Sequence, residues 1–424
     1  MTKLEKSCYF VEDRISVSEI SKKGYVSTEN MLQNKAGICE ATNLPSVEYT
    51  SSFQKNDILV SNIRPYFKKI WYAKFSGGCS NDVLVFRARR GFDSRFLYYV
   101  LSDDTFFNYV MSSAKGTKMP RGDKTAIMNY SVPDFDIEIQ RKIAGILGAL
   151  DDKIEVLREQ NKTLEQMAQA VFQSWFVDFD IVRAKAAGLP AADVCKKYHI
   201  TPDIYDLFPS AFSADNLPQG WTIGKIEEIA EQIICGKTPP TANKEYYGKD
   251  IPFITIPDMH NNVYIIKTER CLSKKGADSQ SNKTLPFNSI CVSCIGTAGL
   301  VSLVAVESQT NQQINSIIPL KNICPYYVFL SMQNLSEIIQ SLGRGGSTIS
   351  NLNKAVFSNI NILIPSQKCL DKFHMLIGIF FEKITENSKQ IRTLEQTRDT
   401  LLPQLISGKL DVENMSLSVL DNRV

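Results

Sequence analysis

A long helical sequence occurs twice in this chain, and the repeat limits the folds that the chain can adopt. Leu150–Ile154 followed by Thr163–Gln166 reappears as Phe380–Ile384 followed by Thr393–Gln396. Both segments recur at one offset, since 384 − 154 and 393 − 163 are both 230. An offset near half of the 424-residue length predicts two similar halves, each a globular segment followed by a long helix.

The spacing of the apolar residues predicts that the two helices form a coiled coil. Seam positions alternate by four and three residues, as the a and d positions of heptads do. The seam residues are Leu147, Leu150, Ile154, Leu157, Asn161 and Leu164 in the first helix, and Ile377, Phe380, Ile384, Asn387, Ile391 and Leu394 in the second. A buried amide in a seam restricts the register, so we expect this role for Asn161 and Asn387.

The predicted length of these helices favours a spacer role. Helices of roughly 35–40 residues span about 50–60 Å, which is longer than most globular domains need. The alternative is that they are two core helices of an ordinary domain with incidental polar residues. Val156 and Phe381 fall outside the seam, and we expect them to be exposed and available to helices of a partner.

Composition and charge place further limits on the protein. With 43% apolar and 22% charged residues the chain has the composition of a folded domain protein. Because the net charge is only +3, any basic surface for nucleic acid must be local. The sequence shows no signal-peptide core, no apolar run long enough to span a membrane, and no regular spacing of its cysteines, so we expect a cytoplasmic protein with reduced thiols.

Cys291 and Cys294 form a CxxC motif, which raises the question of a metal site. A structural zinc ion needs about four ligands, and the histidines (His199, His260 and His374) are far apart in the sequence. The motif also lies in an apolar, β-branched stretch, where small cysteines are common in the core. We therefore predict core packing for this pair and no metal site.

Two kinds of segment repeat within the globular halves, which look α+β. The alternating strands Asp57–Ile63 and Ser289–Ile295 are 232 residues apart (289 − 57), and they run into the loops Arg64–Lys69 and Gly296–Gly299. The polar loops Gly116–Lys124 and Gly346–Lys354 are 230 residues apart (346 − 116), and both contain glycine and end in lysine. The sequence therefore predicts equivalent loops on equivalent strands in both halves.

These loops are candidates for DNA binding. Hydroxyl groups, glycine amides, Lys and Arg can bind phosphates, whereas Asn, Gln and Arg can read base edges. The candidates are Ser61, Asn62, Arg64, Lys68, Lys69, Lys115, Thr117, Lys118, Arg121 and Lys124 in the first half, and Ser293, Arg344, Ser347, Thr348, Asn351 and Lys354 in the second. Solvated turns are the alternative, but the same glycine-to-lysine spacing in both halves favours binding.

Several segments together resemble a known family. Leu217–Trp221, Gly236–Pro239, Ile295–Gly299, Thr310–Ile314 and Ile362–Pro365 resemble a target-recognition domain of the specificity (S) subunit of Type I restriction-modification enzymes. Gln140–Ala144, Trp175–Phe179 and Leu402–Leu410 are similar to the ends of that family's spacer helices. The first half departs from the pattern, because it lacks the Leu-Pro-x-Gly-Trp opening and has Arg64-Pro65 where the second half has a Gly-Thr loop.

The resemblance implies a domain order and further DNA-binding residues. The implied domains are target-recognition domain 1 (1–138), spacer helix 1 (139–180), a connector (181–217), target-recognition domain 2 (218–365), spacer helix 2 (366–410) and a C-terminal tail (411–424), with the two helices antiparallel. The additional DNA-binding candidates in the matching segments are Lys237, Thr238, Thr297, Asn311, Gln312 and Gln313.

The resemblance also implies a function. A subunit of this kind has no catalytic centre, binds two methyltransferase subunits and, through them, restriction subunits, and determines which bipartite DNA sequence is modified or cut. S-adenosylmethionine, and ATP with Mg²⁺ for restriction, are then expected on the partners, and no cofactor on this chain. In agreement, the sequence contains no methylase-type Asn-Pro-Pro-Tyr loop and no Walker phosphate loop.

Two alternatives come from other functional classes. A coiled-coil adaptor without a DNA role would show the same repeat. A stand-alone metal-dependent nuclease could use Pro133-Asp134 together with Asp151-Asp152-Lys153. Asp152 and Lys153, however, lie on the polar side of the heptad, where charged groups are solvated or form ion pairs.

Overall fold

A computed structural model of the protein describes residues 1–114, 116, 118–344 and 352–412. The chain divides into two compact units, the first formed by Met1–Glu155 and Thr393–Val424 and the second by Val156–Arg392. Each long helix contributes residues to both units. Within the described ranges, no helix combines the length and the apolar character that crossing a membrane requires.

The elements of the first unit are short strands and helices. Its strands are β1 (Thr2–Lys3), β2 (Cys8–Phe10), β3 (Arg14–Ser16), β4 (Tyr25–Val26), β5 (Tyr49–Phe53), β6 (Ile58–Ser61), β7 (Ile70–Tyr72), β8 (Gly77–Cys79), β9 (Val83–Ala88) and β10 (Ser131–Val132). Its helices are α1 (Leu4–Ser7), α2 (Ser94–Ser102), α3 (Asp104–Ser112), α4 (Lys124–Met128) and the first part of α5 (Ile137–Phe172), with 3₁₀ turns at Val17–Glu19, Lys22–Gly24 and Pro65–Phe67.

Strand β6 organises the first unit because both of its faces are buried. One sheet has the antiparallel order β2-β9-β6-β7, and a second has the order β3-β5-β8-β4. Ile58 and Val60 pack into a core shared with α2, α3 and α5. Leu59 points to the opposite core, which contains Phe53 and Trp71. The period-2 alternation of a strand thus fills two cores from one segment.

The second unit contains the remaining elements. Its strands are β11 (Thr222–Lys225), β12 (Ala230–Cys235), β13 (Tyr247–Gly248), β14 (Ile251–Ile254), β15 (Tyr264–Ile265), β16 (Arg270–Leu272), β17 (Ile290–Ser293), β18 (Val301–Val304), β19 (Gln309–Thr310), β20 (Ile314–Pro319) and β21 (Asn361–Ile364). After a π-helical segment (Gln173–Val177), its helices are α6 (Asp180–Ala186), α7 (Ala191–Tyr198), α8 (Pro202–Asp206), α9 (Ile226–Ile229), α10 (Ile256–Met259), α11 (Lys274–Asp278), α12 (Pro325–Asn334), α13 (Ser336–Arg344), α14 (Lys354–Ser358) and the first part of α15 (Gln367–Ile406), with 3₁₀ turns at Lys244–Tyr246 and Ser281–Lys283.

The sheets of the second unit repeat the plan of the first. The larger sheet has the order β12-β20-β17-β18-β15, so β17 occupies the place of β6. Ile290 pairs with Ile317 as Ile58 pairs with Phe86. A smaller sheet has the order β13-β16-β14-β19. The predicted α+β fold with a repeated domain is confirmed.

The two long helices run antiparallel in each unit. In the first unit Arg398 donates to Asp151 at 2.8 Å. In the second unit Asn387 Nδ2 donates to Asn161 Oδ1 at 2.9 Å. The buried seam residues are Leu147, Leu150, Ile154, Leu157, Ile377, Ile384, Asn387 and Leu394, whereas Asn161, Leu164, Phe380 and Ile391 are half-buried. The two seam amides therefore meet each other, which is the arrangement that fixes a register.

One expectation about the helices was wrong. Phe381 is fully buried and stacks on Tyr326, with 4.3 Å between ring centroids. The heptad seam describes only the helix face that meets the other long helix. Helix α12, which carries Tyr326 and Phe329, covers a further face of α15. Val156, in contrast, is 50% exposed, as expected.

The connector is a packed part of the second unit. Helices α6–α8 place Ile181, Val182 and Phe208 in the same core as the sheet. Trp175, in the π-helical segment, packs edge-on against Phe208 and also touches Phe373 of α15. Aromatic side chains thus join the end of α5, the connector and the start of α15.

Candidate nucleic-acid interface

In the first unit the candidate loop begins directly after β6. Ser61, the last residue of this strand, is buried, and its hydroxyl donates to the Ile63 carbonyl at 3.1 Å. This hydroxyl shapes the turn and is not a surface group. Arg64 (φ 50°) and Lys68 (φ 49°) then both adopt the left-handed conformation. That conformation costs roughly 1–2 kcal/mol for a residue with a Cβ, and such strain is concentrated at functional sites.

Two of the predicted loops come together here. The Arg64 amide donates to the Pro120 carbonyl at 2.9 Å, and Ile63 forms a β-bridge with Arg121. A Cβ at Gly122 would lie 2.7 Å from Val110 Cγ1 and 2.9 Å from Asn62 Oδ1, so the close approach requires glycine. The Asn62–Lys69 and Lys118–Lys124 segments therefore form one surface.

Carboxylates orient two of the cations on this surface. Lys68 contacts Asp104 at 2.8 Å, and Arg121 contacts Asp82 at 3.0 Å. Although partial burial acts in the opposite direction, hydrogen bonds from Lys68 and Lys35 lower the pKa of Asp104. The sequence patterns did not reveal these aspartates, because nothing in their spacing connects them with the loop.

The remaining candidates of the first unit differ in exposure. Lys69 is half-buried and donates to the Thr28 carbonyl at 2.6 Å, and burial lowers the pKa of its ammonium group. Lys118 and Lys124 are exposed. Asn62 Oδ1 and Arg64 Nε are buried and find no hydrogen-bond partner among the described residues. Lys115 and Thr117 lie outside those residues.

In the second unit two other loops pack together. The Lys237 amide donates to the Thr310 carbonyl at 2.9 Å, and Thr238 Oγ1 donates to Gln312 Oε1 at 2.6 Å. A Cβ at Gly236 would lie 2.2 Å from the Asn311 carbonyl oxygen, so only glycine permits this contact. Lys237, Thr238 and Gln312 thereby share one surface.

Two DNA-binding candidates of the second unit, Asn311 and Ser293, are buried and stabilise loops by hydrogen bonds. Asn311 is buried, and its side chain donates to Gln313 Oε1 at 2.9 Å and accepts from the Gln313 amide. Ser293 is fully buried; its hydroxyl donates to the Thr297 carbonyl at 2.6 Å and accepts from the Leu300 amide at 2.9 Å. The Ser293 hydroxyl stabilises the glycine turn after β17, as the Ser61 hydroxyl stabilises the turn after β6. Thr297 is exposed.

The lysines at the ends of the repeated loops occupy equivalent positions. Lys124 is the first residue of α4, which Asp123 caps, and Lys354 is the first residue of α14, which Asn353 caps. Both lysines are exposed. Arg344 is the last residue of α13. Ser347, Thr348 and Asn351 lie outside the described residues.

Two of the carboxylates of the nuclease alternative, Asp151 and Asp152, already have partners in the protein. Asp152 receives two hydrogen bonds from Arg95, at 3.0 and 2.6 Å. Asp151 accepts from the Tyr99 hydroxyl at 2.7 Å and from Arg398 at 2.8 Å. Through these contacts α5 is bound to α2 and α15. They favour a structural role for both aspartates.

The CxxC cysteines lie in the core, as predicted. Cys291 and Cys294 are both buried. Burial raises the pKa of Cys291 to about 12 and that of Cys294 to about 11. Thiols of this kind stay protonated at neutral pH and are poor metal ligands and nucleophiles.

A protein-family comparison finds the same repeat. The model of the Type I restriction modification DNA specificity domain matches residues 6–166 and 218–394. The Type I restriction enzyme HindI specificity subunit of Haemophilus influenzae is 36% identical over 434 residues, covering 91% of this chain and 94% of that protein. The MjaIX specificity subunit of Methanocaldococcus jannaschii is 26% identical, covering 77% of this chain and 71% of that protein.

A solved structure shares the fold. The S subunit of a Type I restriction-modification system from M. genitalium superimposes with a TM-score of 0.54 at 14% identity, covering 96% of this chain and 95% of that chain. At this identity the likeness concerns the fold alone.

Proposed function

This chain belongs to the Type I restriction enzyme specificity subunits, with two target-recognition domains, and we propose that each domain reads one half of a bipartite DNA sequence through the surfaces described above. The observation that carries the proposal is the repeated placement of polar loops on equivalent strands. Lys124 and Lys354 start equivalent capped helices, while the loops after β6 and β17 differ in sequence. Two domains that share a fold but differ in their loop residues can recognise two different half-sites.

In the first domain we assign the reading to the joined loops Asn62–Lys69 and Lys118–Lys124. Arg121 and Lys68 can bind phosphates or guanine edges, and their aspartate partners limit the conformations available to them. Asn62 Oδ1 and Arg64 Nε are buried polar atoms without a partner among the described residues. Such atoms cost about 1–3 kcal/mol each, and a shift of the loop on DNA binding that gave them a partner would offset that cost.

In the second domain the proposed reading groups are mainly uncharged. Gln312 presents an amide that is held by Thr238, and an amide can form a bidentate contact with adenine. Lys237 lies next to Thr238 and is exposed, so it can bind a phosphate. Asn311 and Ser293 support these loops from within.

We also propose that the chain itself has no catalytic centre and works through partners. Met375 and Ile379 lie one turn apart on α15 and are 68% and 66% exposed, and Val156 and Met167 on α5 are 50% and 47% exposed. Exposed apolar residues on a helix favour packing of a partner helix. The proposed partners are two methyltransferase subunits and, through them, restriction subunits, with S-adenosylmethionine, ATP and Mg²⁺ bound on those subunits.

The test is to express the chain with its methyltransferase subunit and map the methylated positions in the host genome. We expect an asymmetric motif of two specific parts with an unspecified gap. The isolated chain should neither methylate nor cut DNA. A continuous, ungapped motif would contradict two separate readers. Metal-dependent cleavage by the isolated chain that Asp152→Ala abolishes would support the nuclease alternative instead.

A further inference from the structure

A groove of about 560 Å³ lies beside the main sheet of the first unit, at the other end of β6 from the Asn62–Lys69 loop. Its walls are the turn Gln54–Asp57 before β6, the segment Arg87–Ser94 from the end of β9 to the start of α2, and the start of α5. Strand β6 contributes four residues between the turn and the loop. At about 3.3 Å per residue, the groove and the loop are therefore separated by roughly 13 Å.

The groove is strongly cationic. Lys55, Arg87, Arg89, Arg90 and Arg141 line it. Its carboxylates are engaged within the protein. Asp57 accepts two hydrogen bonds of 2.8 Å from Arg87, and Asp93 caps α2 by accepting from the Phe96 amide at 2.9 Å. The remaining positive charge is available to a ligand.

The basic residues of the groove divide into anchored and available groups. Arg89 Nε donates to the Glu5 carbonyl at 3.0 Å, and Arg141 contacts Glu138 at 2.9 Å. Lys55 and Arg90 are exposed, and their side chains form no hydrogen bond or ion pair with any residue that the structure describes. These two cations are therefore free to contact an external anion.

The second unit has the same turn at this place, but the corresponding residues carry no net positive charge. Asn56 (φ 74°) and Asn288 (φ 63°) form equivalent left-handed turns before β6 and β17. The register of the paired strands relates Lys55, Arg87, Arg89 and Arg90 to Phe287, Ile318, Leu320 and Lys321. The 230-residue offset of the long helices relates Arg141 to Asp371. The fold that both units share therefore does not require the positive charge of the first unit's groove. A partner protein that bound the two units in the same way would need that charge in both units.

We propose that this groove binds the phosphate backbone of duplex DNA outside the recognised sequence, next to the half-site read by the first domain. The inference rests on the proposed function. A separation of roughly 13 Å corresponds to about four base pairs at 3.4 Å each, so the groove can contact phosphates beyond those that lie against the reading loops. Arg and Lys side chains clustered in one groove suit a contact of this kind.

The test uses the full chain in complex with its methyltransferase subunits. Two duplexes carry the mapped site, one ending about one base pair beyond it, short of the phosphates that the groove would contact, and the other extending about twenty base pairs on each side. Lys55→Gln combined with Arg90→Gln should bind the short duplex like the unaltered complex. On the long duplex it should bind about tenfold or more weakly at 0.1 M salt, with a salt slope lower by about two.

Lys321→Gln is the matched control, because Lys321 occupies the place of Arg90 in the second unit, and it should leave both duplexes unaffected. Equal weakening on both duplexes would overturn the inference, since the contact would then lie within the recognised sequence. Unchanged DNA binding with loss of restriction-subunit capture would also overturn it and indicate an acidic protein ligand. If the unaltered complex does not prefer the mapped site, the proposed function itself fails.

Discussion

The two units use different chemistry at the same position of the long helices. In the first unit Asp151 of α5 holds Arg398 of α15 and the Tyr99 hydroxyl. The residues 230 positions away, since 381 − 151 and 398 − 168 are both 230, are Phe381 and Ala168, and both are fully buried in the apolar core of the second unit. A repeat can therefore preserve its helix geometry while a polar contact is exchanged for an apolar one.

The reading surfaces show a parallel contrast. The first unit places cations on strained backbone and orients them with aspartates, as Lys68 with Asp104 shows. The second unit uses glycine turns, an amide and a hydroxyl, as in the contact between Gln312 and Thr238. The shared fold positions each loop, and the residues of the loop determine which chemical groups are available to contact DNA. This division predicts that the two halves can be altered separately.

The largest expected effect comes from exchanging a whole domain. Replacing residues 218–365 with the equivalent segment of a relative should change one part of the recognised sequence and leave the other part intact. Each mismatched base pair costs about 1–3 kcal/mol, so several changed positions abolish recognition of the original half-site. Genome-wide methylation mapping measures the result. Exchanging residues 1–138 is the reciprocal control, and alteration of both parts by either exchange would show that the halves do not read independently.

The helix contacts should differ in their contribution to stability. Phe381→Ala should lower the free energy of unfolding by about 3–5 kcal/mol, because it leaves a cavity in a packed aromatic cluster. Asp151→Ala should cost about 1–3 kcal/mol, because it leaves the Tyr99 hydroxyl without its acceptor and leaves Arg398 with Asp399 as its carboxylate partner. Urea unfolding of the complex measures both.

Two further variants sharpen that comparison. Lys162→Ala, at an exposed polar site on α5, should change stability by less than about 0.5 kcal/mol. Asp151→Asn retains an acceptor for the Tyr99 hydroxyl and should recover part of the loss. A loss for Asp151→Ala that equals or exceeds the loss for Phe381→Ala would show that the polar contact dominates the helix pairing.

The features that the sequence predicts well are those with a local period or a repeated spacing. The a/d alternation identifies the long helices, and the offset of about 230 residues is sufficient to pair Lys124 with Lys354. Hydroxyl groups at strand ends were harder to interpret. Ser61 and Ser293 have the composition of a binding loop, yet both are buried and close turns.

The features that the sequence did not predict depend on contacts between distant segments. Phe381 looks exposed on a heptad diagram, because the diagram contains no information about α12. The pairing of Asp151 with Arg398 requires the antiparallel alignment of two helices. The cationic groove combines three separate segments, although comparison of Arg89-Arg90 with Leu320-Lys321 in the repeat register would have identified it.

Single changes in the second reading surface should have moderate, position-specific effects. Gln312→Ala should relax one position of the second half-site by about 1–3 kcal/mol, because it removes a base-reading amide. Asn311→Ala should relax the same part of the site through loss of its support for Gln313. Binding assays with single-base variants of the site measure both. If Gln312→Ala weakens binding to every sequence alike, Gln312 contacts phosphate and the reading assignment fails. The same result for Asn311→Ala would show that Asn311 supports the whole surface and not one reading contact.

The smallest expected effect on DNA binding comes from substituting the equivalent lysines Lys124 and Lys354. These variants also give the closest comparison of the two units. Lys124→Ala and Lys354→Ala should each weaken binding to all DNA sequences by up to about eightfold at 0.1 M salt and lower the salt slope by about one. The effects should be equal, because both residues are exposed and start equivalent capped helices. Lys196→Ala, on the exposed side of α7, is the control and should have no effect. A sequence-dependent loss for one lysine alone would show that the two domains hold the duplex differently, and unchanged DNA binding by both variants would favour the coiled-coil adaptor.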